Sequence, residues 1–100
     1  MSLRRAARRD ANHTEIQRIF EKMLAGEVTD SSSWGKGAGD LFVSSGIACA
    51  FIEIKDGDTK KLTPAQIKFR ATHPEHWYRV DTIEAAMEVA ALLRKLGRRK

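Results

Sequence analysis

The sequence predicts a single α/β domain in which three helices and four strands follow one another in the order α-β-β-β-α-β-α. Three observations lead to this prediction: apolar residues recur at helical spacing near the N terminus, strand-forming residues alternate through the middle of the chain, and two helix-capping patterns follow. The 100 residues suffice for one small domain, and a domain of this size buries about two-thirds of the surface that its unfolded chain exposes.

The first helix is predicted from the apolar stripe of an amphipathic helix, whose side chains recur every three or four residues. Its members are Ile16, Ile19, Phe20, Met23 and Leu24. Gly26 is expected to end this helix. The next segments, EVTDSSSW and GKGAG, are typical of a weak strand or loop and of a flexible turn.

Two further strands are predicted in DLFVSSGIACAFIEIK, because side chains alternate there and strand formers dominate. We expect Ser45 and Gly46 to form a two-residue hairpin turn between these strands. With this turn, Asp40 becomes a diagonal neighbour of Glu53, about 7 Å away. Since strand side chains alternate, Lys55 points to the same side as both acids. The other side of the hairpin, called the apolar face below, is predicted to consist of Leu41, Val43, Ala48, Ala50, Ile52 and Ile54.

The C-terminal half predicts a helix, a short strand and a long helix. Thr63 precedes Pro64, a favoured first residue of a helix, and Gln66 completes a capping box. HWYRV is typical of a short strand. Asp81 and Glu84 form a second capping pattern before TIEAAMEVAALLRKL, the longest predicted helix.

The net charge of +5 is concentrated at the two ends of the chain. Segments 1–9 and 94–100 carry half of the lysines and arginines, and acidic residues outnumber basic ones between them. The N-terminal arginines are Arg4, Arg5, Arg8 and Arg9. Basic ends bind a polyanion such as DNA by releasing counterions from its phosphates, but they also serve as solubilising tails. Charge alone leaves both interpretations open.

Cysteine content and hydropathy predict a soluble cytoplasmic protein. Cys49 is the only cysteine, which excludes an internal disulfide and a cysteine-rich zinc site. The longest uninterrupted apolar run, Ile47 to Ile52, is too short to span a bilayer. The residues after the N-terminal arginines are polar, unlike those of a signal peptide.

Two converging carboxylates beside a lysine are typical of a catalytic magnesium site. The carboxylates of Asp40 and Glu53 repel each other unless a cation lies between them, and Mg²⁺ binds one or two carboxylates while it keeps several waters. Such an ion lowers the pKa of bound water and stabilises charge on a phosphoryl oxygen, while Lys55 could orient the attacking water or hold the scissile phosphate. This interpretation predicts phosphodiester hydrolysis. The alternative is an exposed strand pair on which Glu53 and Lys55 are solvated surface charges.

Three segments, GAGDLFV, AFIEIK and KLTPAQIKF, resemble the PD-(D/E)XK nuclease superfamily, specifically its virus-type replication-repair nuclease (VRR-NUC) branch, found in phage, bacterial and eukaryotic proteins. The resemblance covers nearly the whole chain. It implies a restriction-endonuclease-like core, in which helices flank a central mixed sheet. It also implies an enzyme that depends on Mg²⁺ or Mn²⁺ and works in the cytoplasm of a bacterium or a phage-infected cell.

The resemblance also implies the site residues. The implied catalytic residues are Asp40, Glu53, Lys55 and Gln66, and the implied metal ligands are Asp40, Glu53 and the backbone carbonyl of Ile54. The sequence departs from the motif at Gly39, where the family name expects proline. A D-x₁₂-E-x-K pattern alone is a weak signal, but the L-T-P-x-Q helix start that follows it is more specific.

Two residues have competing interpretations. Glu15 lies where some relatives place a metal-binding acid on the first helix, but Asn12 and Glu15 also fit a capping box. Gln66 matches the family's glutamine and is also the third residue after the cap Thr63; the two roles can coexist.

Other polar and aromatic residues give weaker signals. GKGAG lacks the spacing of a phosphate-binding P-loop and is expected to be a hinge that carries Lys36 near the substrate. His73 and His76 are expected to be ordinary loop histidines, because no further soft metal ligands accompany them. Trp34 either stacks on an unpaired base or is buried in a core or interface.

The site residues and the resemblance together predict a Mg²⁺-dependent DNA endonuclease. The resemblance implies that it cuts branched replication or repair intermediates such as four-way (Holliday) junctions. The expected DNA contacts are Arg4, Arg5, Arg8, Arg9, Lys36, Lys60 and Lys61. Two alternatives remain: a catalytically idle DNA-binding module, and a nuclease subunit that a replication or repair partner protein directs. A homodimer is expected, because only 22 Leu, Ile, Val and Phe residues are available for the core.

Overall fold

The protein folds as an α/β domain with a four-stranded mixed sheet flanked by helices, and the predicted class and element order are confirmed. The computed structural model describes residues 12–24, 26–55 and 61–98. Its elements are α1 (His13–Met23), β1 (Val28–Asp30), a 3₁₀ turn (Ser32–Trp34), β2 (Leu41–Ser45), β3 (Ala48–Ile54), α2 (Pro64–Thr72), β4 (Trp77–Val80) and α3 (Ile83–Gly97). Within these ranges, every helix is too short or too polar to cross a membrane.

The sheet has the strand order β1-β2-β3-β4. β2 is antiparallel to both β1 and β3, whereas β4 pairs with β3 in parallel. Parallel neighbours need a long crossover connection, and α2 lies within the one that joins β3 to β4. The connection places α2 on the opposite side of the sheet from α1 and α3, since Phe69 of α2 packs on Phe51.

The predicted hairpin turn is wrong by one residue. The turn consists of Gly46 and Ile47, so Ser45 pairs with Ala48 and Leu41 pairs with Ile52. Gly46 takes a φ of +62°, and two-residue hairpin turns favour glycine with positive φ at their first position. Partners along β3 move by two residues, so every side chain keeps its predicted face.

The apolar face forms the core together with α1 and α3. Its residues Leu41, Val43, Ala50, Ile52 and Ile54 are buried, and Ala48 is partly buried. The helices bury Ile16, Phe20 and Leu24 from the N-terminal part, and Ala86, Ala90 and Leu93 from α3. The predicted apolar stripe of the first helix and the predicted apolar face of the hairpin therefore meet in one core.

Of the three helix caps considered from the sequence, one is confirmed by the structure. Thr63 and Gln66 form the predicted capping box at the start of α2. The predicted cap of α3 at Asp81 is wrong: the Thr82 hydroxyl accepts from the N–H of Ala85 at 3.0 Å. The Asn12 side chain does not cap α1, and its Nδ2 donates to the carbonyl oxygen of Asp81 at 2.9 Å.

Candidate active site

A small polar cleft lies on the side of the sheet that faces α2. Its volume is about 160 Å³, and it is bounded by the loop before β2, by β3 and by the first turn of α2. The lining residues are Ser32, Gly35, Gly37, Ala38, Gly39, Asp40, Glu53 and Gln66. Three of the predicted catalytic side chains therefore line one cleft, although they come from three separate parts of the chain.

Asp40 is the last residue before β2 and is held by hydrogen bonds on both sides. Its backbone N–H donates to the carbonyl oxygen of Ile52 at 2.8 Å, and its own carbonyl oxygen accepts from the N–H of Ser31 at 3.0 Å. Its carboxylate Oδ2 accepts from the backbone N–H of Ile54 at 2.8 Å. The carboxylate is thus fixed against β3, at the strand that carries Glu53.

Gly39 explains why this chain departs from the proline of the family motif. Its φ is +100°, whereas the proline ring holds φ near about −65°. A Cβ atom at this position would lie 2.8 Å from the carbonyl oxygen of Ile52, so the backbone approaches β3 too closely for a side chain. The Ser31 hydroxyl also donates to the Gly39 carbonyl oxygen at 3.0 Å. The conformation before Asp40 therefore requires glycine here.

Glu53 is buried, with only 6% of its surface exposed. The ammonium of Lys55 lies 3.5 Å from its Oε2, and the Lys55 side chain is 15% exposed. Burial of a carboxylate is costly unless the charge is paired, and Lys55 supplies the opposite charge. The alternative in which Glu53 and Lys55 are solvated surface charges is therefore wrong.

Gln66 belongs to the capping box of α2 and also lines the cleft, as its sequence context suggested. Its Oε1 accepts from the backbone N–H of Thr63 at 2.8 Å, and its own N–H donates to the Thr63 hydroxyl at 3.2 Å. The same residue lines the cleft with Asp40 and Glu53. The cap fixes the side-chain orientation, and the amide Nε2 is a hydrogen-bond donor group at the end of this fixed side chain.

Ile54 contributes its backbone to the site and its side chain to the core. The side chain is fully buried on the apolar face. The N–H and C=O groups of a strand residue point to the same side of the strand, and the Ile54 N–H points at Asp40. The Ile54 carbonyl oxygen therefore lies on the Asp40 side of β3.

The oxygen donors of this site fit a Mg²⁺ or Mn²⁺ ion. Two carboxylates and one backbone carbonyl are the hard ligands that Mg²⁺ prefers, and the ion keeps several waters. In residues 12–24, 26–55 and 61–98, no three His, Cys, Asp or Glu side chains are grouped to hold a metal ion. A site of two carboxylates falls below that number, so waters would complete the coordination in the cleft.

Glu15 does not join the cleft. It is exposed in the first turn of α1 and is not one of the lining residues. Its alternative interpretation as half of a capping box also fails, because the Asn12 side chain does not cap the helix. Neither interpretation of Glu15 from the sequence describes its position.

The predicted DNA-binding residues are only partly described. Lys36 and Lys61 are exposed, and Lys36 lies beside Lys68 on the α2 side of the loop. The other predicted contacts, Arg4, Arg5, Arg8, Arg9 and Lys60, lie outside the described residues. Segment 1–9 and residues 99–100 of the basic C-terminal segment lie outside them too.

An aromatic cluster beside the cleft was not predicted. Phe51 lies at its centre, with ring centroids 5.1 Å from Phe42, 4.9 Å from Phe69 and 6.0 Å from Trp34. His73 stacks on Phe69, with ring centroids 4.1 Å apart. The signal that was available is strand alternation, which places Phe42 and Phe51 on the side opposite the core.

The chain matches no protein-family model and no curated protein sequence. The resemblance to virus-type nucleases therefore depends on the residues of this chain alone. The geometry of the cleft is the main evidence for the function of the protein.

Proposed function

We propose that the protein is a metal-dependent DNA endonuclease of the virus-type replication-repair nuclease kind. One observation carries the proposal: Asp40, Glu53 and Gln66 line the same cleft, and Lys55 is paired with Glu53. These are the four residues that the family resemblance implies. A chance D-x₁₂-E-x-K pattern has no reason to place a distant glutamine in the same cleft.

The arrangement of elements supports the restriction-endonuclease-like core. A helix precedes three antiparallel strands, a second helix crosses over, and a parallel strand and a third helix complete the domain. The proposed site lies where β2 begins and β3 ends. Backbone hydrogen bonds hold Asp40 against β3, so the site is attached to a central strand of the sheet.

The proposed chemistry is hydrolysis of a phosphodiester bond. A divalent ion held by Asp40, Glu53 and the Ile54 carbonyl would supply charge stabilisation at a phosphoryl oxygen and a bound water of lowered pKa. Lys55 brings a positive charge to within 3.5 Å of Glu53 Oε2, where it can orient an attacking water or bind a phosphate oxygen. Gln66, fixed by its cap, can donate a hydrogen bond from Nε2 to water or phosphate.

The proposed substrate is a branched DNA such as a four-way junction, cut by a homodimer. Two-fold symmetric pairs are the commonest protein assemblies, and a pair would present two sites to two strands of a junction. The small core leaves apolar side chains exposed, among them Met87 and Leu92 of α3. Burial of such side chains between two copies would stabilise the pair.

The test is cleavage of end-labelled DNA. Duplex, flap, single-strand and four-way junction substrates of equal length are incubated with Mg²⁺, Mn²⁺ or a chelator, and Glu53→Gln serves as the control for contaminating nucleases. We expect cleavage that requires the ion, that is abolished in Glu53→Gln, and that is fastest on the junction, with symmetric cuts in opposing strands.

Other results would change the proposal in defined ways. Binding without cleavage of any substrate would favour a catalytically idle DNA-binding module. Weak cleavage that a cognate replication or repair protein accelerates would favour a partner-directed nuclease subunit. Light scattering at the chain mass of 11.2 kDa, with preference for flaps, would remove the junction and the dimer but leave the nuclease.

A further inference from the structure

Trp34 lies at the edge of the candidate site and is half exposed. Its relative exposure is 52%, although tryptophan is a side chain that small domains usually bury. It ends the 3₁₀ turn Ser32–Trp34, and its neighbours in this segment, Ser32 and Gly35, both line the polar cleft. Trp34 therefore lies between two residues that line the cleft, and about half of its surface is exposed to solvent.

Two rings of the aromatic cluster pack against the indole of Trp34. The Trp34 ring lies 5.9 Å from Phe42 at an interplanar angle of 35°, and 6.0 Å from Phe51 in an edge-on arrangement. Phe51 is in turn packed against Phe69 of α2. These contacts hold the Trp34 ring in place while part of its surface stays accessible. Stacking of a base on this ring would therefore cost little further side-chain entropy.

Two lysines line a second groove, to which the same loop contributes. The groove has a volume of about 340 Å³, its surface is mostly apolar, and its lining residues are Lys36, Ala65, Lys68, Phe69 and Thr72. Lys36 takes a φ of +59°, which non-glycine residues rarely adopt, and the adjacent Gly37 packs closely on the Ala65 carbonyl. The loop thus contributes Gly35 and Gly37 to the polar cleft and Lys36 to the groove that Lys68 also lines.

We propose that Trp34 stacks on an unpaired nucleobase of a bound nucleic-acid strand, while Lys36 and Lys68 bind the neighbouring phosphates. Aromatic side chains bind any exposed base through its π-face, and lysines nearby neutralise the backbone. This inference rests on the proposed function: at the branch point of a junction, where a base pair can open, Trp34 would bind the released base next to the bond to be cut. Continuous duplex offers no such base.

Trp34 provides its own spectroscopic signal for the test. The second tryptophan, Trp77, is 4% exposed and its Nε1 donates to the Gly37 carbonyl oxygen, so stacking quenches Trp34 selectively. The titration uses the Glu53→Gln protein with chelator present, which prevents cleavage. The ligands are a single-stranded oligodeoxythymidylate and an abasic oligomer of the same length and charge.

We expect strong quenching by the base-containing oligomer and little by the abasic one. Trp34→Leu, which keeps an apolar side chain, should weaken binding of the oligodeoxythymidylate by about 5- to 150-fold, the range measured for loss of one base–aromatic stack. Trp34→Tyr should restore most of the affinity. Ile47→Ala, an exposed apolar position on the β2–β3 turn, is the matched control and should bind as the parent does.

Equal affinity for the abasic and base-containing oligomers would overturn the inference. So would equal binding by the Trp34→Leu and Trp34→Tyr proteins. A blue shift of Trp34 emission that follows protein concentration without DNA would instead identify an interface between copies. Cleavage without quenching removes this site and keeps the proposed nuclease, whereas quenching without cleavage in the unsubstituted protein does the reverse.

Discussion

The two sides of the sheet differ in cover and in chemistry. The apolar face is packed under α1 and α3, and its central residue Ile52 is fully buried. The other side is covered by α2, none of whose nine residues is buried, and it contains the polar cleft. Ile52 and Glu53 are adjacent in sequence, yet they belong to these two different environments. Strand alternation alone separates stabilising residues from candidate catalytic ones.

The difference shows that the core also positions the site. Asp40 has its backbone bonded to Ile52 and its carboxylate bonded to Ile54, and both of those residues are anchored by buried side chains. Groups on rigid strands hold their geometry better than groups on loops. The apolar face therefore determines where the acids on the other side lie.

The largest effect on the free energy of unfolding is expected at Ile52. Ile52→Ala leaves a cavity between the sheet and two helices and should lower that free energy by about 2–5 kcal/mol. Glu53→Gln should change it by about 1 kcal/mol or less, because loss of the Lys55 pair is offset by loss of repulsion from Asp40 and of a buried charge. Urea denaturation followed by circular dichroism measures both. Similar losses in the two variants would contradict the division between the faces.

A smaller effect is expected where the loop meets β3. Gly39→Ala combines a φ of +100° with a Cβ atom 2.8 Å from the Ile52 carbonyl oxygen, and should cost about 1–3 kcal/mol. Gly35→Ala is the control, since its φ is +76° but its Cβ would meet nothing within 4 Å. The unfolding temperature of Gly39→Ala should therefore be lower than that of Gly35→Ala. The reverse order would mean that contact with β3 does not constrain this loop.

An effect of about 1 kcal/mol is expected at the capping box of α2. Thr63→Ala and Gln66→Ala each remove one side of the box and should destabilise the protein to a similar extent. Only Gln66 also lines the cleft, so Gln66→Ala should slow DNA cleavage far more than Thr63→Ala. Parallel measurements of unfolding and of cleavage rate decide the matter: equal slowing in both variants would restrict Gln66 to capping.

No change in unfolding is expected from the N-terminal arginines, which act through DNA in our proposal. Alanine at Arg4, Arg5, Arg8 and Arg9 should weaken DNA binding and flatten its dependence on salt, by roughly 0.9 in the log-log slope per lost phosphate contact. Fluorescence anisotropy with labelled DNA over a range of salt concentrations measures the slope. If the slope is unchanged, the segment is a solubilising tail.

Local sequence patterns predicted most of the fold. They failed where two neighbouring positions fit the same turn or the same cap equally well. Ser45-Gly46 and Gly46-Ile47 are both two-residue turns that preserve the faces, so alternation could not choose between them; glycine at the first position decided. Asp81 and Thr82 can both cap a helix, and Asp81 instead accepts a hydrogen bond from Arg79 at 2.7 Å.

Asp40, Glu53 and Gln66 were predicted as site residues and line one cleft, but the residues that surround them were not predicted. Asp40 and Glu53 came from hairpin geometry, which is local and survives a register error of two residues. The packing of Phe51 on Phe69 depends on how the crossover helix docks, and no local period encodes that contact. The φ of Gly39 likewise follows from its approach to β3 rather than from its neighbours in sequence.

In our proposal the two carboxylates in the cleft act together in cleavage, and the single-turnover cleavage rate of Asp40→Asn in Mg²⁺ tests this most directly. Asparagine keeps a carbonyl oxygen to accept from the Ile54 N–H, so the local structure is retained while the charge is lost. With saturating protein and the DNA that the unsubstituted protein cuts fastest, we predict a rate lower by roughly 10³-fold and an unchanged unfolding temperature. A rate within about tenfold of the unsubstituted protein would contradict the assignment of this cleft as the active site.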